Sequence, residues 1–190
     1  MNVSTAMKRR ICSILMPVLA VALLAGIPLT PTGTADARVG ARMGAFTLPA
    51  IPGGPTRGRM NLGDKLGEDV VVLLFWATWC IPCRQELPVY QELYERYRDQ
   101  GLTVVAISMD DSSSLPQAAG WARRMNLTFP VLSDLDTSVT NRINPRRTAP
   151  FSIWVNHEGR ITREHEGFNQ GERDEIQAGI AELIRARNAE

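Results

Sequence analysis

Val70-Val71-Val72-Leu73-Leu74-Phe75-Trp76-Ala77-Thr78-Trp79-Cys80-Ile81-Pro82-Cys83 is the stretch of sequence on which the fold turns. Its first seven residues are apolar without alternation. Such a run is too short for an ordinary helix and apolar on both faces, as a central buried strand has to be. From Ile81 to Gln100 the spacing changes. Leu87, Tyr90, Leu93, Tyr94 and Tyr97 recur at three- and four-residue intervals, with Glu92, Glu95, Arg96 and Asp99 on the other side. This period predicts an amphipathic helix closed by Gly101, with Pro88 kinking it. Leu102 to Met109 is a second β-branched run. Strand, helix and strand joined by short links predict a right-handed parallel crossover, a βαβ unit.

Working outward, Phe46 to Leu48 reads as a short strand, and the Gly- and Pro-rich residues from about 50 to 60 as an irregular loop. Beyond the βαβ unit, Leu115 to Met125 predicts a second helix, Phe129 to Leu132 a short strand and Ser138 to Ile143 a brief helical turn. Phe151 to Val155 and Ile161 to Glu164 flank Asn156-His157-Glu158-Gly159, which predicts an antiparallel hairpin. Glu172 to Arg187 carries Ile176, Ile180, Leu183 and Ile184 on one face and predicts a final helix covering the sheet. No internal repeat is present.

The 190 residues suit one domain plus a targeting segment, and 44% hydrophobic content is ordinary for a globular core. Twenty-one basic and twenty acidic residues leave a net charge of +1, which excludes a long-range field that would gather nucleic acid or an anionic membrane. Lys8, Arg9 and Arg10 precede an apolar stretch from Ile11 to Ile27, and Ala35-Asp36-Ala37 has the small-x-small form of a signal cleavage site. Residues 1–37 therefore read as an export signal, released to leave a domain of residues 38–190 that begins at Arg38, or as an uncleaved membrane anchor. Both place the domain outside the cytoplasm. Cys12 belongs to that leader, so the exported part carries two cysteines, Cys80 and Cys83, in a compartment where disulfides persist.

Two cysteines two residues apart, where a buried strand hands over to a helix, satisfy the geometry of a reversible disulfide. The first thiol lies at the helix N-terminus, where unsatisfied N–H groups and the helix dipole favour a thiolate, so Cys80 reads as a nucleophile. Cys83, about one turn on and more buried, reads as the thiol that resolves a mixed disulfide. A structural zinc site needs four ligands, and beyond these two cysteines the exported part has no other Cys, while His157 and His165 lie in or near the distal hairpin; no metal is expected. Cu(I) held by the two thiolates, an inert crosslink and a peroxidase are the competing readings. The peroxidase reading fails because Pro82 follows Cys80 instead of preceding it. Glu86 lies three residues after Cys83 on the same helix face and beyond the expected first turn. It reads equally as a proton carrier for Cys83 and as a solvated helix residue.

The segment Phe75 to Pro88 closely resembles the active-site segment of thioredoxin-like proteins, in particular the exported TlpA/ResA-like branch. The resemblance spans roughly residues 40 to 188, through Phe46-Thr47-Leu48-Pro49, the strand Val104 to Ser108 and the X-Pro, strand and Gly-hairpin ending. It implies a thioredoxin-like α/β fold, a central mixed β-sheet flanked by helices with an N-terminal strand extension. It implies a thiol-disulfide oxidoreductase needing no cofactor beyond its own Cys80–Cys83 pair: Cys80 the exposed nucleophile, Cys83 resolving and Glu86 the active-site acid. Pro150 would be a cis-proline facing the disulfide, Ala149 would offer its backbone to the partner chain, and Trp79 would line the partner groove. Leu74 stands where cytosolic thioredoxins carry a buried aspartate, and Arg146 and Arg147 add positive charge near the groove. The implied partners are client proteins with disulfides, such as apocytochrome c or copper-site assembly proteins, and a membrane thiol-disulfide electron donor. The expected protein is a monomer acting as a reductase; a disulfide oxidant would use identical residues.

Overall fold

The computed structural model describes residues 38–189. They run through β1 (Thr47–Pro49), β2 (Arg59–Asn61), β3 (Val70–Trp76), α1 (Cys83–Tyr97), β4 (Leu102–Ser108), α2 (Leu115–Arg124), β5 (Val131–Ser133), α3 (Ser138–Ile143), β6 (Phe151–Val155), β7 (Ile161–Glu166) and α4 (Arg173–Asn188). The leader expected at residues 1–37, with its cleavage site and its alternative as an anchor, lies outside the described residues. No helix among the described residues is long and apolar enough to cross a membrane.

β3 is buried at every position because it is paired on both edges and covered on both faces. β4 runs parallel to it and β6 antiparallel, and β5 and β7 complete a five-stranded mixed sheet in the order β5-β4-β3-β6-β7. Successive side chains of a strand point to opposite faces. Val70, Val72, Leu74 and Trp76 accordingly join the apolar cluster under α1, α2 and α4, while Val71, Leu73 and Phe75 join the one formed with β1 and α3. The central mixed sheet flanked by helices is the fold that the sequence implied.

Boundaries differ in instructive ways. α1 begins at Cys83, not near Ile81, because Ile81 and Pro82 are spent on the turn that follows the strand. It continues through Pro88, whose missing N–H leaves the Arg84 carbonyl without its helical donor. It ends at Tyr97, not at Gly101 as expected; a 3-10 turn over Arg98–Gln100 follows, and Gly101 closes that turn with a left-handed φ of 86°. β2 emerges from the stretch expected to be loop, pairing Arg59 with Pro49 and Asn61 with Thr47. Phe129 and Pro130 fall just outside β5, where Pro130 has no N–H to give and supplies only its carbonyl to Ala106.

α4 presses its small face onto the sheet. A Cβ at Gly179 would stand 2.5 Å from Cζ3 of Trp154, a ring that cannot swing aside freely because its Nε1 donates to the Tyr90 hydroxyl at 3.0 Å. Ala is ordinarily the better helix former by about 1 kcal/mol, but overpacking costs roughly 1–3 kcal/mol. Gly179→Ala is therefore expected to lower stability in urea unfolding; a stabilised variant would show that α4 sits less tightly on Trp154.

Candidate functional site

The parallel pair β3 and β4 delivers its carboxyl ends side by side, Trp76 opposite Ser108. Ligand and reaction sites of α/β sheets collect at such ends. The chain leaves β3 after Trp76, turns back with Cys80 N–H donating to the Ala77 carbonyl at 3.1 Å, and enters α1 at Cys83. Cys80 and Cys83 are joined as a disulfide with Cα atoms 5.4 Å apart. α1 has no side-chain N-cap; instead the Cys80 Sγ accepts the Cys83 N–H at 3.2 Å. The first sulfur thus stands where an anion is favoured by an orphan donor and the positive end of the helix.

The expected exposure of Cys80 needs correction. It is only 3% accessible, against 0% for Cys83, because the turn folds it back against the cluster beneath. The side chains that project are its neighbours Trp79, 63% exposed, and Ile81, 68% exposed. The Ala149–Pro150 bond is cis, Pro150 is buried, and Ala149 packs against the cluster containing both cysteines. Arg146 contributes less free charge than expected, being paired with Glu166, whereas Arg147 meets only neutral acceptors, donating to Asn141 at 2.9 Å and Thr137 at 3.0 Å. Leu74 is fully buried.

Glu86 falls inside the first turn of α1, one turn from Cys83, contrary to the expectation that it lay beyond. It is 1% exposed and neither carboxyl oxygen has a hydrogen-bond partner among the described residues. Burial, and secondarily the charge of Glu172, push its pKa from 4.5 to about 8, overriding the helix dipole. The Tyr90 hydroxyl is also pushed up, first by burial and then by Glu86. Glu172 itself is held by His165, whose Nε2 lies 3.0 Å from its Oε2. From β7 the fold carries His165 to the acid that acts on Glu86. Among the described residues no group of three or more His, Cys, Asp or Glu is placed to hold a metal ion.

Two residues went unmarked in the sequence. Asp110, 3% exposed beyond the end of β4, accepts the Thr78 N–H through both carboxylate oxygens at 3.1 Å and the Thr78 hydroxyl at 2.6 Å. The Ser108 hydroxyl adds a bond of 2.9 Å. A Thr two residues before the first cysteine and an Asp just past the neighbouring strand were the only signals available.

With this geometry in hand, comparison with known proteins decides the family, since residues 39–164 match one throughout. The chain belongs to the AhpC/TSA family. It is 35% identical over 116 residues to the thiol-disulfide oxidoreductase ResA of Oceanobacillus iheyensis, covering 60% of this chain and 59% of that protein. To ResA of Halalkalibacterium halodurans it is 29% identical over 149 residues, 78% of each chain. It spans 57% of the ResA proteins of Bacillus cereus and Geobacillus kaustophilus. Among solved structures, a Chlorobium tepidum protein described as a candidate thiol:disulfide interchange protein DsbE superimposes with a TM-score of 0.67 at 28% identity, over 77% of this chain and 97% of that one. The likeness read from Phe75 to Pro88 is therefore shared with proteins of the ResA and DsbE type, and the fold is thioredoxin-like.

Within this AhpC/TSA-family chain, Glu86 makes stability depend on pH with a definite sign. Its folded pKa of about 8 exceeds the ordinary 4.5, so between those values the folded state binds the extra proton and stability falls as pH rises. We expect denaturant midpoints to decline across that window and Glu86→Gln to flatten the decline. A wild-type curve that rises towards pH 8 would contradict a buried, proton-bearing Glu86.

Proposed function

We propose that this protein is an extracytoplasmic thiol-disulfide oxidoreductase that reduces disulfides in client proteins. The observation that carries the reading is the Cys80–Cys83 disulfide at the N-terminus of α1, with the unpartnered, buried carboxyl of Glu86 one turn along. In the reduced protein the Cys80 thiolate attacks a client disulfide. A bond forms between Cys80 Sγ and one client sulfur, and the other client sulfur leaves as thiolate and takes a proton. Cys83 then gives its proton to Glu86 in the ionised form, which a pKa of about 8 leaves as the minor fraction at neutral pH, and attacks Cys80 Sγ; the second client sulfur leaves as thiolate and takes a proton, and Cys80–Cys83 is left oxidised. The client gains two electrons and the protein loses two. A carboxyl with pKa near 8 exchanges protons with a thiol at little cost, which suits Glu86 to this step.

Trp79, Ala149 and the cis Pro150 form the client-facing side in this reading: Trp79 projects beside Cys80, and the Ala149 backbone offers an extended peptide its hydrogen bonds. The cycle needs no resident cofactor, only a membrane thiol-disulfide donor to reduce Cys80–Cys83 again. Residues 1–37 would export the domain, residues 38–190, by cleavage or as an anchor. Clients of the apocytochrome c or copper-site assembly kind, and a monomeric state, follow from the resemblance to ResA-like proteins.

Cys83→Ser, expressed in cells with the leader intact, is expected to accumulate dithiothreitol-sensitive adducts on Cys80, and Cys80→Ser to form none. Identification of the trapped chains names the clients. Glu86→Gln should slow release of a preformed mixed disulfide about 100-fold, within the range of general acid–base effects, and shift the pH midpoint of that step. Absence of adducts, with stoichiometric Cu(I) retained by the wild type and no disulfide reduction, would overturn the reading in favour of a copper carrier.

A further inference from the structure

Thr78 is gripped at every polar atom. Its N–H and hydroxyl go to the buried Asp110 carboxylate, and its carbonyl accepts Arg84 Nη2 at 2.8 Å. Asp110 is in turn fixed by Ser108, whose hydroxyl donates to it and whose Oγ accepts the Asp110 N–H at 3.2 Å. Arg84 follows Cys83 directly, and its guanidinium lies 4.0 Å over the Trp121 ring of α2, a ring that also carries Arg124 at 4.3 Å. An anion from the end of β4 and a cation from the first turn of α1 therefore hold opposite sides of one residue. That residue sits between the strand and the nucleophile.

Loops usually solvate such polar groups; here they are withdrawn from water, Thr78 being 6% exposed. Charge-assisted hydrogen bonds are shorter and stronger than neutral ones and fix direction as well as distance. The backbone from Ala77 to Cys80 has no strand partner beyond the bond from Met109 N–H to the Trp76 carbonyl. Without the grip on Thr78, the turn that brings Cys80 Sγ to the Cys83 N–H and turns Trp79 outward would rest on the Cys80 to Ala77 bond alone among its backbone contacts.

We propose that Asp110 and Arg84, acting through Thr78, are positioning residues for Cys80: a two-sided latch that holds the nucleophile in the attacking arrangement after its disulfide is reduced. This rests on the exchange reading above. In the oxidised protein the disulfide restrains Cys80 covalently, and the latch is redundant there. Once the disulfide opens, the latch is what keeps the sulfur at the helix terminus instead of letting the turn relax. Thr78 and Asp110 touch no reacting atom, so the effect belongs to the reduced state and to the attack step.

The test measures the second-order rate constant for the fully reduced protein attacking a disulfide substrate, at a temperature where each variant is folded by circular dichroism. Thr78→Val keeps the shape and removes the hydroxyl; Asp110→Asn keeps the size and presents an amide to the Thr78 N–H. Each is expected to slow attack about tenfold. Thr78→Ser, which restores the hydroxyl, is expected to recover the rate, and the double variant Thr78→Val with Asp110→Asn to be no slower than the worse single one. If Asp110→Asn does not fold, Thr78→Val and Thr78→Ser still decide. Equal rates for folded Thr78→Val and wild type, Thr78→Ser as slow as Thr78→Val, or additive losses would each overturn the latch. Wild-type protein that exchanges no disulfide would instead remove the function on which it rests.

Discussion

β3 can be buried on both faces only because it has neighbours on both edges, a parallel β4 and an antiparallel β6. Parallel pairing obliges the chain to cross back over the sheet, and a helix is the ordinary means. α1 therefore has to start near the carboxyl end of β3, with residues 77–82 between them. This constraint puts Cys80 in the connecting turn and Cys83 at the head of the helix. The inequality of the two sulfurs follows from it: the Cys80 sulfur takes the Cys83 N–H at the head of the helix and keeps a small accessibility of 3%, whereas Cys83 has none.

Two buried acids beside that turn meet opposite fates. Asp110 receives donors from Thr78 and Ser108 on both oxygens, so its carboxylate is compensated. Glu86 receives none. Burying an uncompensated carboxylate costs far more than keeping its proton, and the group responds by holding that proton to about pH 8. One acid is thereby a fixed anchor and the other a proton store. Glu86 follows Cys83 by three residues, whereas Asp110 comes from beyond β4 and meets the chain at Thr78, two residues before Cys80.

The sequence was legible where signals were local. The unalternating run of β3, the spacing of α1 and the Cys80–Cys83 interval all carry their meaning within a few residues, and each element appears where that meaning puts it. β2 was illegible because Arg-Met-Asn has no strand pattern of its own and is a strand only by pairing with β1 across the loop. Glu86 lies one turn from Cys83 as its spacing implied, but whether it met solvent or core depended on tertiary burial that spacing does not encode. The pairing of Asp110 with Thr78 joins residues 32 apart, and that of His165 with Glu172 depends on where the turn after β7 sets the start of α4. Arg146 looked like free charge because its partner, Glu166, lies on β7.

The division of labour between the two sulfurs is tested most directly by alkylating the reduced protein with iodoacetamide across pH and locating the label by mass spectrometry. The helix N-terminus should give Cys80 a reactivity midpoint below the ordinary thiol value of about 8.5, with Cys83 unlabelled in the folded protein. Equal labelling of both cysteines, or a Cys80 midpoint at or above that of a free thiol, would contradict the account.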